Sequence, residues 1–199
     1  MLILASQSPR RQALLRAVGI KFRVIVPEIE EFVPSRASGR YAQVAQRTAL
    51  AKAKAVAGTR RDVVLGADTI VVSAGEILGK PRDEEDARRM LGELSGRRHR
   101  VYTGVALVCG DRRSLGYERT EVAFRRLSKN EIDGYVRSGE PMDKAGAYAV
   151  QGKGAALIQS IRGCYTNVIG LPLPKVLSML EEFEGMLRAE QDQAGGSRG

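Results

Sequence analysis

Two arginines stand where a helix ordinarily takes an acid. In ASQSPRRQALL, residues 5–15, Ser8 reads as a helix N-cap and Pro9 as the first helical residue. The start of a helix is its positive end, so Arg10 and Arg11 are misplaced there by about 0.3–1 kcal/mol each. A bound anion reverses that sign, because helix N–H groups, the Ser6 and Ser8 hydroxyls and two forked guanidiniums would all donate to it. A plain capped helix with exposed arginines is the competing reading. A second candidate is LGADTIVV, residues 65–72, where Asp68 is read at the end of one apolar strand and before another. A carboxylate there is costly unless it is paired, holds a metal or opens on a cleft; a turn aspartate bonded to its own backbone is the alternative. Thr69 adds a hydroxyl beside it. Lys80 in ILGKPRD sits before a proline and after Gly79, in extended backbone that a ligand could approach. For Lys80, and for Lys52 on an alanine-rich segment, a solvated surface lysine is the more common reading. In the glycine-rich run 139–158, GEPMDKAGAYAVQGKGAALI, Gln151 carries the donor and acceptor that reading a base edge requires.

The types that are missing narrow the chemistry. His99 is the single histidine, and no Ser–His–Asp, Cys–His, HExxH or GxxxxGK[ST] pattern occurs. Carboxylates, lysines and arginines remain, a set suited to phosphate rather than carbonyl chemistry.

The elements that must carry these residues alternate between strand and helix. Strands are predicted at Met1–Ala5, Phe22–Val26 and Val63–Ala67, with a hairpin through Ala74-Gly75, an antiparallel pair Arg100–Val108 and Ser114–Phe124 around GDRR, and a strand at Ala155–Ile161. Helices are predicted at Pro9–Val18, with Ala13, Leu14 and Val18 on one face and Leu15 beside them, at Tyr41–Ala57, at Asp83–Leu94, from the capping box SKNE to Arg137, and at Pro172–Leu187. EIEEFVPSRASG reads as a polar connector. This pattern predicts one α/β domain over residues 1–187, a mixed, twisted central sheet flanked by helices with a phosphate cleft at strand ends, and a disordered tail over 188–199.

Composition bounds the rest. Hydrophobic residues make up 43% of the 199, which excludes wholesale disorder. No segment has the length of uncharged apolar chain a membrane span needs, and MLILA is too short for a signal peptide. Cys109 and Cys164 form no CxxC pair and read as free thiols of a cytoplasmic protein. The net charge of +9 comes as scattered arginine pairs with few aromatics, unlike a nucleic-acid-binding face.

Together, LASQSPRR (4–11), Glu31 closing IEE, Lys52 in LAKAKA, GADTIVV (66–72), GKP (79–81), LSGRRHRVYTG (94–104), GEPMDKAGAYAVQGKGA (139–155) and NVIGLPL (167–173) resemble the Maf family of nucleoside triphosphate pyrophosphatases. The resemblance covers nearly the whole chain in the family's order. It implies hydrolysis between the α- and β-phosphates with a divalent metal cation, Mg or Mn. Asp68 would then take the proton of the attacking water, and Ser6, Arg10, Arg11, Lys52 and Lys80 would grip the triphosphate. It places Glu31 and Asp68 near the metal, and Arg11, Thr69 and Gln151 at positions linked to substrate choice. Arg10 and Gln151 favour the branch acting on dTTP and UTP, since the 7-methyl-GTP branch tends to carry an aromatic after SP and an acid in place of the glutamine. Implied partners are a nucleoside triphosphate and a second copy in a homodimer, with no membrane and no stable nucleic acid. Two rival readings are a nucleotide-binding regulator of cell division without turnover and a basic nucleic-acid-binding protein.

Overall fold

The computed structural model describes residues 1–29, 39–58 and 62–196, and the backbone alone for 190–196. The elements run β1 (Leu2–Ala5), α1 (Pro9–Ala17), β2 (Phe22–Val24), α2 (Tyr41–Ala57), β3 (Val63–Ser73), β4 (Glu76–Leu78), α3 (Glu84–Leu94), β5 (Arg98–Cys109), β6 (Arg112–Phe124), α4 (Lys129–Val136), β7 (Ile158–Arg162), α5 (Tyr165–Ile169) and α6 (Leu173–Gly196). Short 3-10 turns span Ala145–Ala147 and Gly152–Leu157. One sheet holds the strands in the order β2-β1-β3-β5-β6-β7, with β4 against the far end of β3. The β2–β1–β3 side is parallel and the β3–β5–β6–β7 side antiparallel, so the sheet is mixed as expected.

Period-2 burial sorts the residues of β3 onto two faces. Val64 packs with Ala49, Ala53 and Val56 of α2, while Leu65 and Ala67 pack with Leu15 of α1 and with Val176, Met179 and Phe183 of α6. A third cluster joins α3 and α4 to Phe124, Tyr135 and Tyr148. Helix α2 lies unusually close to the sheet. Its stripe of Ala45, Ala49 and Ala53 is fully buried. A Cβ on Gly66 would fall 2.1 Å from the Ala49 carbonyl oxygen, and one on Gly104 would fall 2.2 Å from the Ala45 carbonyl carbon. Two side-chain-free strand positions facing three alanines let the backbones approach.

Several expectations change. Residues 63–73 form one continuous strand, so Asp68 lies in the middle of β3 and not at a strand end. The strand that ends is β1, which pairs with β3 only as far as Ala5↔Gly66. β5 pairs along nearly all of β3, and its backbone ladder carries the chain straight through Asp68. In α1 the buried positions are Arg11 and Leu15, not Ala13 and Val18, because the helix turns Arg11 inward. Residues 152–157 form a 3-10 turn where the strand was expected to begin, since Gly154 packs on Ala149 and Tyr135. β2 stops at Val24, and α6 runs past Leu187 to Gly196. The type of turn was legible: Ala74 and Gly75 both take positive φ (47° and 87°), as a two-residue hairpin of primed type requires.

Candidate active site

The end of β1 opens a cleft of about 570 Å³. Ser6, Arg10, Arg11, Lys52, Asp68, Thr69, Lys80 and Gln151 all line it. Glu31 lies outside the described residues, as does most of the connector that carries it. Asp143 and Lys144 also line the cleft, so its described cations are Arg10, Arg11, Lys52, Lys80 and Lys144 against the carboxylates of Asp68 and Asp143. That balance suits a polyanion.

Alternation along β3 sends its two polar neighbours to opposite faces. Asp68 points with Val64 and Gly66 toward α2, where the Lys52 ammonium donates to Oδ1 at 2.7 Å. Both residues are buried, at 5% exposure each. The expectation of a solvated Lys52 fails for a structural reason: the close approach of α2 at Gly66 holds this part of the helix against the strand. A lysine and an aspartate this deep are tolerable only as a pair, because either alone would be an uncompensated buried charge.

Thr69 faces the other way, into a hydroxyl chain. Arg11 Nη2 donates to Thr69 Oγ1 at 3.2 Å, Arg11 Nη1 to Ser6 Oγ at 3.2 Å, and Arg11 Nε to the Gly170 carbonyl at 2.8 Å. Thr69 Oγ1 is 2.9 Å from Thr103 Oγ1, and the Thr103 hydroxyl donates to the Asn167 carbonyl at 3.1 Å. Asn167 Nδ2 in turn donates to the Val101 carbonyl and to Thr120 Oγ1. Arg11 is thus an anchored donor, oriented by the carbonyl that ends α5. Arg10, one residue earlier, is only half-buried and stands near Asp143. Burial works to raise the Asp143 carboxyl, and the Lys144 hydrogen bond with the Arg10 charge outweighs it, holding the group below its ordinary range.

The N-terminus of α1 behaves as read. Ser8 Oγ accepts from Arg11 N at 3.5 Å, Ser6 Oγ from Ser8 N at 3.2 Å, and no acid occupies the first turn. Residues the sequence did not single out are Thr103, Asn167 and Gly170. The available signals were, for Thr103, the LSGRRHRVYTG stretch and, for the other two, the NVIGLPL stretch, whose Gly170 takes φ 127° after a five-residue helix. For a divalent metal the described donors fit one mode. No group of three His, Cys, Asp or Glu gathers among them, while Asp68 presents a hard carboxylate beside a cationic cleft. Mg²⁺ is commonly held by one or two carboxylates together with substrate phosphates, and that mode needs no protein cage.

The family description "Maf-like protein" matches residues 1–183. A dTTP/UTP pyrophosphatase of Symbiobacterium thermophilum is 56% identical over 183 residues, covering 92% of this chain and 93% of that protein. One of Bacillus cereus strain AH820 is 49% identical over 183 residues, covering 92% and 95%. Among solved structures, a HAM1 protein from Coxiella burnetii aligns with 63% of this chain and 73% of its own at 24% identity and a TM-score of 0.42. A nucleoside-triphosphatase / dITP/XTP pyrophosphatase from Mycobacterium abscessus aligns over 94% and 97% at 15% identity and a TM-score of 0.43. A match that runs from the first strand into the last helix, carried by relatives about half identical to it, makes this chain a member of the Maf family.

Proposed function

We propose that this protein hydrolyses dTTP and UTP to the monophosphate and pyrophosphate. The observation that carries the reading is the buried Lys52–Asp68 pair, 2.7 Å apart in a cationic cleft beside a helix N-terminus. The names of the relatives point to the same substrates. In this reading the triphosphate lies with its oxygens on Arg11, Arg10, Lys80, the Ser6 hydroxyl and the N–H groups at the start of α1. Gln151 faces the base, and Thr69 keeps Arg11 in register. A phosphate oxygen competes with Asp68 for the Lys52 ammonium. Asp68 then accepts a proton from water as the water oxygen bonds to the α-phosphorus, and the bond from that phosphorus to the bridging oxygen breaks, releasing pyrophosphate. A divalent metal, Mg or Mn, would be held by Asp68 and Glu31 and would neutralise phosphate charge. No helix among the described residues is long and apolar enough to cross a membrane.

The test is product analysis in ¹⁸O-labelled water with a panel of nucleoside triphosphates. We expect pyrophosphate release from dTTP and UTP with the label in the monophosphate. Release of single phosphate, or label in pyrophosphate, overturns the assigned bond and the position of attack. Chelation should abolish turnover, and Mg²⁺ or Mn²⁺ should restore it.

A further inference from the structure

Gln151 has a weakness as a reader of bases. A primary amide carries donor and acceptor side by side, and a half-turn about its terminal torsion exchanges them. Uracil and thymine offer a carbonyl next to an N–H; cytosine offers an amino group next to a bare ring nitrogen. A glutamine free to turn accepts either edge. Gln151 is exposed, and its side chain caps nothing in the turn that follows it. Discrimination has to come from groups that cannot rotate, which here means the neighbouring backbone.

That backbone is tied down on both sides of Gln151 to one pair of side chains. Ala149 N–H donates to Tyr135 Oη at 3.1 Å. Lys153 N–H donates to Glu140 Oε2 at 3.1 Å, and Gly154 N–H to Glu140 Oε1 at 3.0 Å. The Tyr135 hydroxyl donates to Glu140 Oε1 at 3.0 Å and closes the arrangement. Two glycines are required by it. A Cβ on Gly152, at φ +69°, would fall 2.9 Å from Glu140 Oε2, and one on Gly154 would fall 2.3 Å from the Ala149 carbonyl oxygen and 2.6 Å from Tyr135 Oη. Burial works to raise the Glu140 carboxyl, yet the two backbone N–H groups and the Tyr135 hydroxyl hold it below its ordinary range, as a charged acceptor. Neither Tyr135 nor Glu140 lines the cleft.

We propose that Tyr135 and Glu140 form a clamp that fixes the backbone of residues 149–154 and so sets the preference for uracil and thymine over cytosine. The proposal rests on the reading of this cleft as a pyrimidine triphosphate site with Gln151 at the base. Tyr135 and Glu140 are positioning residues in it and touch no reacting atom.

The experiment compares Tyr135→Phe, Glu140→Gln and the double variant with the unmodified chain, measuring pyrophosphate release from UTP, dTTP and CTP and confirming folding by thermal unfolding. Each variant keeps the side-chain size and removes hydrogen bonds. The kcat/KM ratio of UTP to CTP should fall about tenfold, through KM for UTP, with kcat for UTP within about twofold. The double variant should lose little more than either single one, because the two residues act as one unit. Folded variants that keep the ratio and the KM overturn the clamp. So does a kcat that falls equally for all three nucleotides, since that would be a purely structural effect. An unmodified chain that cleaves UTP and CTP equally well overturns the reading of the base site as selective for uracil and thymine, on which the clamp rests, and the two failures are told apart by that control.

Discussion

At the end of the cleft where we propose the phosphates lie, charge is mounted on regular elements: Arg11 on α1, Lys52 on α2, Asp68 on β3. At the base end, residues 139–157 contribute only short 3-10 turns, and their backbone is held by Tyr135 and Glu140. The difference fits what each end is proposed to recognise. A triphosphate is the same on every nucleotide and carries about four charges near neutral pH, so rigid side-chain cations serve it. Bases differ in the order of donors and acceptors along one edge, and a held backbone distinguishes such orders better than mobile side chains do.

Breaking the phosphate end should have the largest effect. Asp68→Asn should lower kcat by about 10³-fold or more while nucleotide binding, followed by calorimetry, survives. Near-normal turnover would remove Asp68 from its role. Arg11→Ala should lower kcat/KM about 10²-fold for UTP and CTP alike, with KM raised, because we place it on the triphosphate, which the two nucleotides share. A base-dependent loss would erase the distinction between the two ends.

The core beneath the base end should be the pH-sensitive one. His99 is 2% exposed, and burial lowers its pKa to about 4. Its Nε2 lies 2.8 Å from the Tyr148 hydroxyl, while Nδ1 has no partner among the described residues. The unfolded chain binds this proton below about pH 6.5 and the folded chain does not until about pH 4, so stability falls as pH drops through that window. The loss between pH 7 and pH 5 should be about 2 kcal/mol in urea unfolding. His99→Leu should show a flatter profile over the same interval. The smallest effect belongs to Gln151→Ala, which should reduce the preference for UTP over CTP by less than about tenfold if the backbone carries most of the discrimination. A loss larger than that of the Glu140→Gln variant would shift the discrimination to the side chain.

Much of this molecule was legible in the sequence where the controlling physics is local. Helix α2 spans the predicted Tyr41–Ala57, the Ser128–Glu131 capping box forms, and the two-residue turns after Ser73 and Cys109 fall where glycines call for them. The cleft residues were legible as types, because cations at a helix N-terminus and a carboxylate in an apolar run are anomalies on their own. Their relations were not. Arg11 meets Gly170 across 159 residues, and Lys52 is buried only because distant glycines in β3 and β5 admit α2. The continuity of β3 was also hidden: GADTI reads as a break, and the β5 ladder that carries the strand through it lies more than thirty positions along the chain.

The early stop of β1 has a mechanical consequence. Asp68 and Thr69 sit inside the long antiparallel pairing of β3 with β5, yet they border open space because the neighbouring ribbon is only four residues long. A reactive group seated in a backbone ladder has little freedom to drift, and one on a loop would need other restraints. The fold obtains exposure by omission: shortening one strand bares a notch whose floor keeps the stiffness of the interior. Extending β1 by two more residues, through Ser6 and Gln7, would close that notch.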